Sequence, residues 1–255
     1  MKKLLCLVAS SLLLGGCGGG DGTLADDVAV LTSPFVVLNL SDRTYTMRLA
    51  IDDLATGAAY RDNLVVFRRV TVGSNESFVA VFELSQAQWS HIAGTTPWST
   101  VDPSVVPAVG VAGDRPAFNI DYDSASLAMS QFVLPAGRID LPTAAEWTAA
   151  CGVTSGWSIG ANPDVVQFKQ AAVVRETASS AGGPQPVGAR AANSMGFYDL
   201  HGNVWEWTKP GDVIRGGSWH DPAWSSRAEI AVGTAQGMDT LIPHALVGVR
   251  LVLVQ

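Results

Sequence analysis

The chain has 255 residues, of which 47% are hydrophobic and 15% charged, and its formal net charge is −7. This length and composition allow one large domain or two small ones around a sizeable core, and the 26 Gly and 13 Pro favour a loop-rich fold over a helical one. The acidic balance and the lack of any Lys/Arg run argue against nucleic acid as a partner.

The first 16 residues have the features of a secretory signal peptide. Two lysines precede an apolar run from Leu4 to Leu14, which is too short for a permanent membrane-spanning helix. The run ends in LGGC, which resembles a bacterial lipobox and predicts that Cys17 is lipidated and becomes the mature N-terminus. The alternative is an ordinary signal peptide that happens to contain a Cys.

The lipobox sets further expectations for the mature protein. Residues 17–33 are predicted to be the lipidated Cys and a flexible tether, and the protein to be anchored by lipid in the cell envelope. By resemblance to lipoprotein sorting, Gly18 after the Cys favours the outer membrane. Because Cys151 is then the one Cys left outside the signal and lipid sites, the mature domain has no internal disulfide. Cys151 itself is predicted to be a small buried hydrophobe.

Residues 34–255 are predicted to form a single α+β domain. Apolar patterns predict five strands, at residues 34–40, 44–51, 64–73, 77–84 and 248–255. Helical spacing and capping residues predict three helices, at residues 85–92, 123–134 and 141–152. Ser85 is the predicted N-cap of the first helix, Thr143 and Glu146 form a predicted capping box for the third, and Gly152 ends it.

Two long parts of this domain have little regular pattern. Residues 93–118 are rich in Pro, Gly and Thr and are predicted to be a long ordered loop, and residues 153–255 show almost no helical period. Such long loops are unusual inside a compact domain unless buried aromatic side chains or bound cations hold them. The tryptophans and glycines of the C-terminal third can supply the aromatic part.

Carboxylates and glycines are concentrated in NSMGFYDLHGNVWEWT, residues 193–208. Asp199 and Glu206 stand at the two ends of a turn, and Gly202 between them allows backbone carbonyls to point inward. Calcium takes roughly six to eight oxygen ligands, and this loop can supply about four of them. The alternative role for Glu206 is to cap a turn or to pair with Arg215.

The segments RIDLPTAAEWTAAC, NSMGFYDLHGNVWEW, RGGSW and VGVRLVL, in this order, resemble the formylglycine-generating enzyme (sulfatase-modifying factor) domain family. VAVFELSQAQW and RPAFNIDYDSASLAMSQF resemble its earlier blocks, so the resemblance covers roughly residues 60–255. It implies a loop-rich α+β fold, a variant of the C-type lectin fold that is stabilised by calcium.

The resemblance also implies a ligand set for structural Ca²⁺. One calcium site of the family corresponds to Asp199, Gly202, Val204 and Glu206, with side-chain oxygens from the two acids and backbone carbonyls from the middle two. The segment 168–183, where the family has its second calcium site, shows no clear match. We therefore expect one calcium ion.

Enzymes of the family have two cysteines that bind copper and activate oxygen, at positions that correspond to Asp221 and Ser226. A carboxylate and a hydroxyl do not replace thiolates as ligands of Cu(I). The resemblance therefore implies the fold without formylglycine chemistry. The alternative is a metal-dependent oxidoreductase of the formylglycine-generating or non-haem iron type with unusual ligands.

Residues 220–246 lie between RGGSW and the closing strand and show neither helical nor strand period. Their position resembles the diversified segment in the variable proteins of diversity-generating retroelements. The candidate ligand-binding residues are His220, Asp221, Trp224, Glu229 and His244. The sequence thus predicts a surface-anchored, non-catalytic module that binds an unidentified protein or carbohydrate.

Overall fold

Six antiparallel strands form the larger of two sheets in the computed structural model, which describes residues 33–152, 170–180, 182–211, 213–222, 235–236 and 238–255. The strands are β1 (Phe35–Asn39), β2 (Thr44–Arg48), β3 (Leu64–Val72), β4 (Asn75–Ala80), β5 (Arg138–Asp140) and β10 (Val252–Val254). Their order is β2-β1-β3-β4-β10-β5. The last strand of the chain therefore lies between β4 and β5, and the C-terminal residues complete the sheet that the N-terminal half begins.

The smaller sheet contains parts of two motifs, GNVWEW (Gly202–Trp207) and RGGSW (Arg215–Trp219). Its strands are β6 (Trp205–Thr208), β7 (Val213–Arg215), β8 (Ala235–Gln236) and β9 (Val247–Gly248), in the order β8-β7-β6-β9, and β6 and β9 run parallel. β6 carries the end of GNVWEW, and β7 ends on the first residue of RGGSW. The register places Glu206 opposite Arg215.

Three helices lie where helical spacing and capping residues predict them: α1 (Gln86–Ala93), α2 (Tyr122–Gln131) and α3 (Ala144–Cys151). Ser85 and Gln88 form a capping box at the start of α1, and Thr143 and Glu146 form the predicted box at the start of α3. Gly152 ends α3 in the left-handed conformation, with φ of 65°. These local signals are confirmed, whereas α2 ends three residues earlier than its apolar pattern suggests.

The predicted loop over residues 93–118 is ordered, and short 3-10 turns at Pro97–Thr100 and Ala108–Gly110 interrupt it. Trp98 and Val106 are buried and attach this loop to the main core. A second hydrophobic cluster packs α3 against the larger sheet, with Trp147 fully buried beside Val70 and Val79. Loops in this fold are thus held by buried side chains, as the aromatic content indicates.

Residues Ser33–Gln255 form one compact unit. Among the described residues, none of the helices combines the length and apolar character needed to span a bilayer. The predicted signal peptide and Cys17 lie outside the described residues.

Candidate functional site

Glu206, the acid of GNVWEW, forms a fully buried ion pair with Arg250. Arg250 donates through Nε to both carboxylate oxygens, at 3.1 and 2.9 Å, and through Nη2 to Oε1 at 2.7 Å. Trp147 Nε1 donates to Oε2 at 2.7 Å. These contacts fill the roughly four lone-pair positions that a carboxylate offers. Glu206 therefore neither forms an ion pair with Arg215 nor caps a turn, the two alternative roles that the sequence suggests.

Arg250 connects this pair to the rest of the core. Its Nη1 donates to the carbonyl of Ala80 at the end of β4, and its Nη2 donates to the carbonyl of Tyr198. The guanidinium thus links the larger sheet, the loop that precedes GNVWEW and strand β6. An Arg fully buried with directed hydrogen bonds to each neighbour is a structural anchor for the motif.

A second buried acid, Glu83, holds the turn at the start of GNVWEW. Glu83 accepts hydrogen bonds from Asn203 Nδ2 at 2.6 Å and from the Val204 backbone N–H at 3.0 Å. Burial, followed by the neighbouring charges of Asp199 and Glu206, raises the pKa of Glu83 well above its ordinary value. Sequence reasoning missed this residue, although an acid inside the apolar run VAVFEL was the available signal.

Asp199 is a third buried acid, and one of its carboxylate oxygens has no hydrogen-bond partner among the described residues. Its Oδ2 accepts from the Gly188 N–H at 2.6 Å, while Oδ1 is buried and has no hydrogen-bond partner among the described residues. Burial raises the pKa of Asp199 to about 6. An unpartnered buried carboxylate oxygen suits a cation, so Asp199 on its own fits the predicted calcium site.

As a set, Asp199, Gly202, Val204 and Glu206 do not fit calcium in the arrangement that the structure describes. A calcium ion on Glu206 would have to displace Arg250, and the guanidinium would then be buried without its counter-ion, which is strongly unfavourable. No group of three or more His, Cys, Asp and Glu side chains in the described part of the chain is placed to hold a metal. Calcium at this turn remains a prediction from the family resemblance.

The buried pair of Cys151 and His201 is not a reactive thiol site. Cys151 Sγ lies 3.9 Å from His201 Nε2. Burial raises the pKa of Cys151 to about 12 and lowers the pKa of His201 to about 4. At neutral pH the pair is therefore a thiol and a neutral imidazole, and it lacks the thiolate that nucleophilic or redox chemistry requires.

Asp221, a predicted ligand-binding residue, forms hydrogen bonds within the domain. Its Oδ2 accepts hydrogen bonds from Trp205 Nε1 at 3.0 Å, from the Ser218 N–H at 2.8 Å and from Ser218 Oγ at 2.7 Å. The carboxylate thus closes the turn after RGGS and ties it to β6. The same contacts occupy the position where the family's enzymes have a copper-binding Cys.

His220 and His244, two other predicted ligand-binding residues, line one open cleft of about 600 Å³. The ring of His220 packs edge-on against Trp219 at 5.4 Å, and its carbonyl accepts from Arg175 Nε. His244 Nδ1 accepts from the Leu246 N–H at 3.2 Å, so Nε2 is the protonated nitrogen of the neutral ring. Trp224, Ser226 and Glu229 lie outside the described residues.

The opposite wall of the cleft comes from the long loop after α1. The lining residues with polar side chains, besides the two histidines, are Thr100, Ser104 and Asn119, and the remainder are Val101, Val105, Pro243, Ala245 and Leu246. None of the lining residues that the structure describes carries a carboxylate, an ammonium or a guanidinium. The cleft therefore suits an uncharged, partly apolar group.

This geometry defines a class: a loop-rich α+β domain of the C-type-lectin-like kind, in which buried tryptophans, glycines and one ion pair support an irregular C-terminal segment. The model of the sulfatase-modifying factor enzyme 1-like domain matches residues 64–254. The chain belongs to this family. No curated protein gives a significant sequence match to the chain.

Solved structures of the same fold agree with this assignment. Variable protein 1 of Treponema denticola superposes with a TM-score of 0.56 at 16% identity, over 75% of this chain and 96% of that protein. PvdO from Pseudomonas aeruginosa superposes with a TM-score of 0.54 at 16% identity, over 81% of this chain and 89% of that one. At these identities the likeness establishes the fold alone.

Proposed function

We propose that the domain is a non-catalytic binding module whose ligand contacts the cleft between His220, the segment 243–246 and the loop residues 100–105. The observation that carries the proposal is that both described histidines of the irregular segment line the same open cleft. The segment is displayed on a rigid base, because Asp221 and the Glu206–Arg250 pair fix the turns beneath it. A rigid scaffold under an irregular loop is the usual arrangement of a binding surface.

The loss of the family's thiol ligands supports a non-catalytic role. Asp221 stands in place of one copper-binding Cys, and its Oδ2 is already bonded to Trp205 and Ser218. Ser226 stands in place of the other. A carboxylate held in this way is a poor substitute for a soft thiolate ligand.

Exposed apolar side chains near the cleft favour a protein as the ligand over a carbohydrate. Leu241 and Ile242, which directly precede the lining residue Pro243, are 69% and 59% exposed, and Val105 on the other wall is 51% exposed. Large apolar side chains in water beside a concave surface are typical of protein interaction sites. We therefore propose a protein partner that inserts an apolar group between these walls.

The likeness to a protein named variable protein 1 supports a finer proposal for the same surface. Residues 220–246 are the segment in which sequence variation would alter the cleft while leaving the buried ion pair intact. A reverse-transcriptase gene and a template repeat of this segment in the flanking DNA would support diversification, and their absence would leave a fixed binding site.

A selected peptide tests the cleft directly. Peptides are selected from a random library on the wild-type protein, and their affinity is measured for Leu241→Ser/Ile242→Ser and for His220→Ala/His244→Ala. Each double variant is expected to weaken binding at least tenfold, or about 1.4 kcal/mol, because the first removes the exposed apolar side chains beside the cleft and the second removes two side chains that line it. Each exposed substitution is expected to change the free energy of unfolding by no more than about 0.5 kcal/mol.

Leu127→Ser is the matched control, since Leu127 is an exposed apolar residue on α2 that does not line the cleft. It should leave the peptide affinity unchanged. If every selected peptide binds both double variants as tightly as the wild type, the cleft is not the binding surface. A glycan array probed in parallel shows whether a carbohydrate takes the place of the peptide.

We further propose that Cys17 anchors the protein by lipid to the outer membrane, on the strength of the charged start, the apolar run and the LGGC motif. Cys17→Ala is expected to abolish labelling with a radioactive fatty acid and to release the protein from the membrane fraction. Cys6→Ala, within the signal segment, is the control and should keep both properties. A lipid-labelled, membrane-bound Cys17→Ala variant would contradict the proposal.

A further inference from the structure

Arg215, the first residue of RGGSW, is a partly buried cation with no ion-pair partner among the described residues. Its Nε and Nη1 atoms are buried and have no hydrogen-bond partner in the described part of the chain. Glu206 lies opposite Arg215 in the β6–β7 register but forms its ion pair with Arg250. Burial lowers the pKa of Arg215, and none of the ion pairs among the described residues includes it.

The described surroundings of Arg215 hold the guanidinium in place, and they supply no carboxylate that neutralises it. Its guanidinium carbon lies 5.8 Å from the centroid of the Trp147 ring, which is within the range of a cation–π contact. Trp147 itself is fixed by its hydrogen bond to Glu206. The side chain is therefore positioned before any ligand arrives, and little rotamer freedom is left to lose on binding.

Arg215 lines a groove of about 610 Å³ that is separate from the histidine cleft. It is the one charged residue among the lining residues that the structure describes. The walls are small or aliphatic and include Val72, Ala144, Ala145, Ala149 and Met195. The nearby acid of α3, Glu146, is occupied by the Thr143 cap and by Ser77.

We propose that this groove docks an acidic peptide segment of a partner protein, with a carboxylate on Arg215 and aliphatic side chains against the alanine wall. The positive charge and the absence of any acid in the described lining favour an anionic group. Because Nε and Nη1 are buried, the carboxylate would meet the guanidinium at Nη2, through a charge-assisted hydrogen bond. The small wall residues leave room for a peptide backbone to approach α3.

Three short peptides test this proposal on the full-length protein. The first has a central Glu between Val and Ala residues and blocked ends, the second replaces that Glu with Gln, and the third has no Glu but a free C-terminal carboxylate. The Nε–H resonance of Arg215 in NMR spectra is the readout. We expect the Glu peptide to shift this resonance and to bind at least tenfold more tightly than its Gln analogue. Comparison with the third peptide shows whether a side chain or a chain end supplies the carboxylate.

Two variants make the test independent of the folding of an Arg215 mutant. Arg215→Lys keeps the charge but loses the planar guanidinium that packs against Trp147, so the cation is less well positioned and the Glu peptide should bind more weakly. Ala145→Glu, at an exposed position of α3, puts a negative charge at the groove and should weaken it as well, while the Gln analogue is unaffected. Equal affinity of the Glu and Gln peptides would overturn the proposal.

A counter-ion from the chain itself would also overturn it. Asp164 lies outside the described residues, so Asp164→Asn is measured without peptide. If this substitution alone moves the Arg215 Nε–H resonance as far as the Glu peptide moves it in the wild type, the guanidinium is already paired within the protein. Asp212 and Glu229 also lie outside the described residues, so Asp212→Asn and Glu229→Gln are measured in the same way. An unchanged resonance in all three variants leaves the groove open to an external carboxylate.

Discussion

Arg250→Met is expected to lower the free energy of unfolding by about 3–5 kcal/mol, because it leaves the Glu206 carboxylate buried without its counter-ion. The substitution also removes the donors that reach the carbonyls of Ala80 and Tyr198. Urea unfolding at neutral pH, followed by tryptophan fluorescence, measures the loss. The effect is large because both side chains are fully buried and neither charge can turn to solvent.

The double variant Glu206→Gln/Arg250→Met is expected to recover part of that loss. Gln keeps an acceptor for Trp147 Nε1, and position 206 no longer carries a charge that has lost its counter-ion. Recovery is partial because Arg250 also faces the buried acids Glu83 and Asp199. Glu76→Gln is the control, since the Arg69–Glu76 pair is largely exposed on the Glu76 side and should contribute no more than about 1 kcal/mol. A single Arg250→Met variant as stable as Glu76→Gln would show that the buried pair does not stabilise the motif.

The same unfolding experiment decides whether calcium binds at this turn. In the structure Arg250 fills the coordination of Glu206, so removal of divalent ions by a chelator should not change the unfolding curve if Glu206 keeps that partner. A chelator-dependent loss of stability that Asp199→Ala makes redundant would show that calcium is bound there after all. Glu206 would then have to exchange its guanidinium partner for the ion.

Local signals were sufficient for much of the fold. Ser85, Thr143 and Gly152 mark helix ends within a few residues of sequence, since a cap is made by a side chain and the backbone one turn away. The four N-terminal strands, of five to nine residues each, follow from the apolar patterns at residues 34–51 and 64–84, and in the second strand apolar and polar residues alternate. By contrast, β6 and β7 have four and three residues, too few to show a period among so many glycines and aromatics.

The candidate site depended on contacts that no local pattern contains. Glu206 is 44 residues from Arg250, and Glu83 is 121 residues from Val204, whose backbone N–H donates a hydrogen bond to it. A carboxylate near glycines has the same local appearance whether it binds calcium or a distant Arg. The sequence does not show the hydrogen bond of Asp221 for the same reason, because its partner Trp205 lies 16 residues earlier. A buried acid in the sequence implies that a cation or an N–H donor lies beside it. Only the fold shows which residue supplies that partner.

Substitution of Gly202, the glycine of GNVWEW, is the second change expected to lower the free energy of unfolding strongly. Gly202 has φ of 84°, and a Cβ at this position would lie 2.0 Å from the carbonyl oxygen of Val173. That oxygen accepts the Asn203 N–H at 2.7 Å, and Val173 N donates to the His201 carbonyl, so the neighbouring backbone is held on both sides of the glycine. Any side chain here must therefore break the bridge between the two segments or displace one of them.

Gly202→Ala is expected to cost about 2–5 kcal/mol, the sum of the left-handed backbone cost of about 1–2 kcal/mol for an L-residue and an overpacking cost of about 1–3 kcal/mol. Gly73→Ala is the matched control, because Gly73 has a similar positive φ of 61° but nothing within 4 Å of the added Cβ. It should show the backbone cost alone. The free energies of unfolding of the two variants in urea give the steric contribution by difference. If Gly202→Ala is no less stable than Gly73→Ala, the close approach to Val173 does not fix the turn, and the positive φ alone explains the glycine.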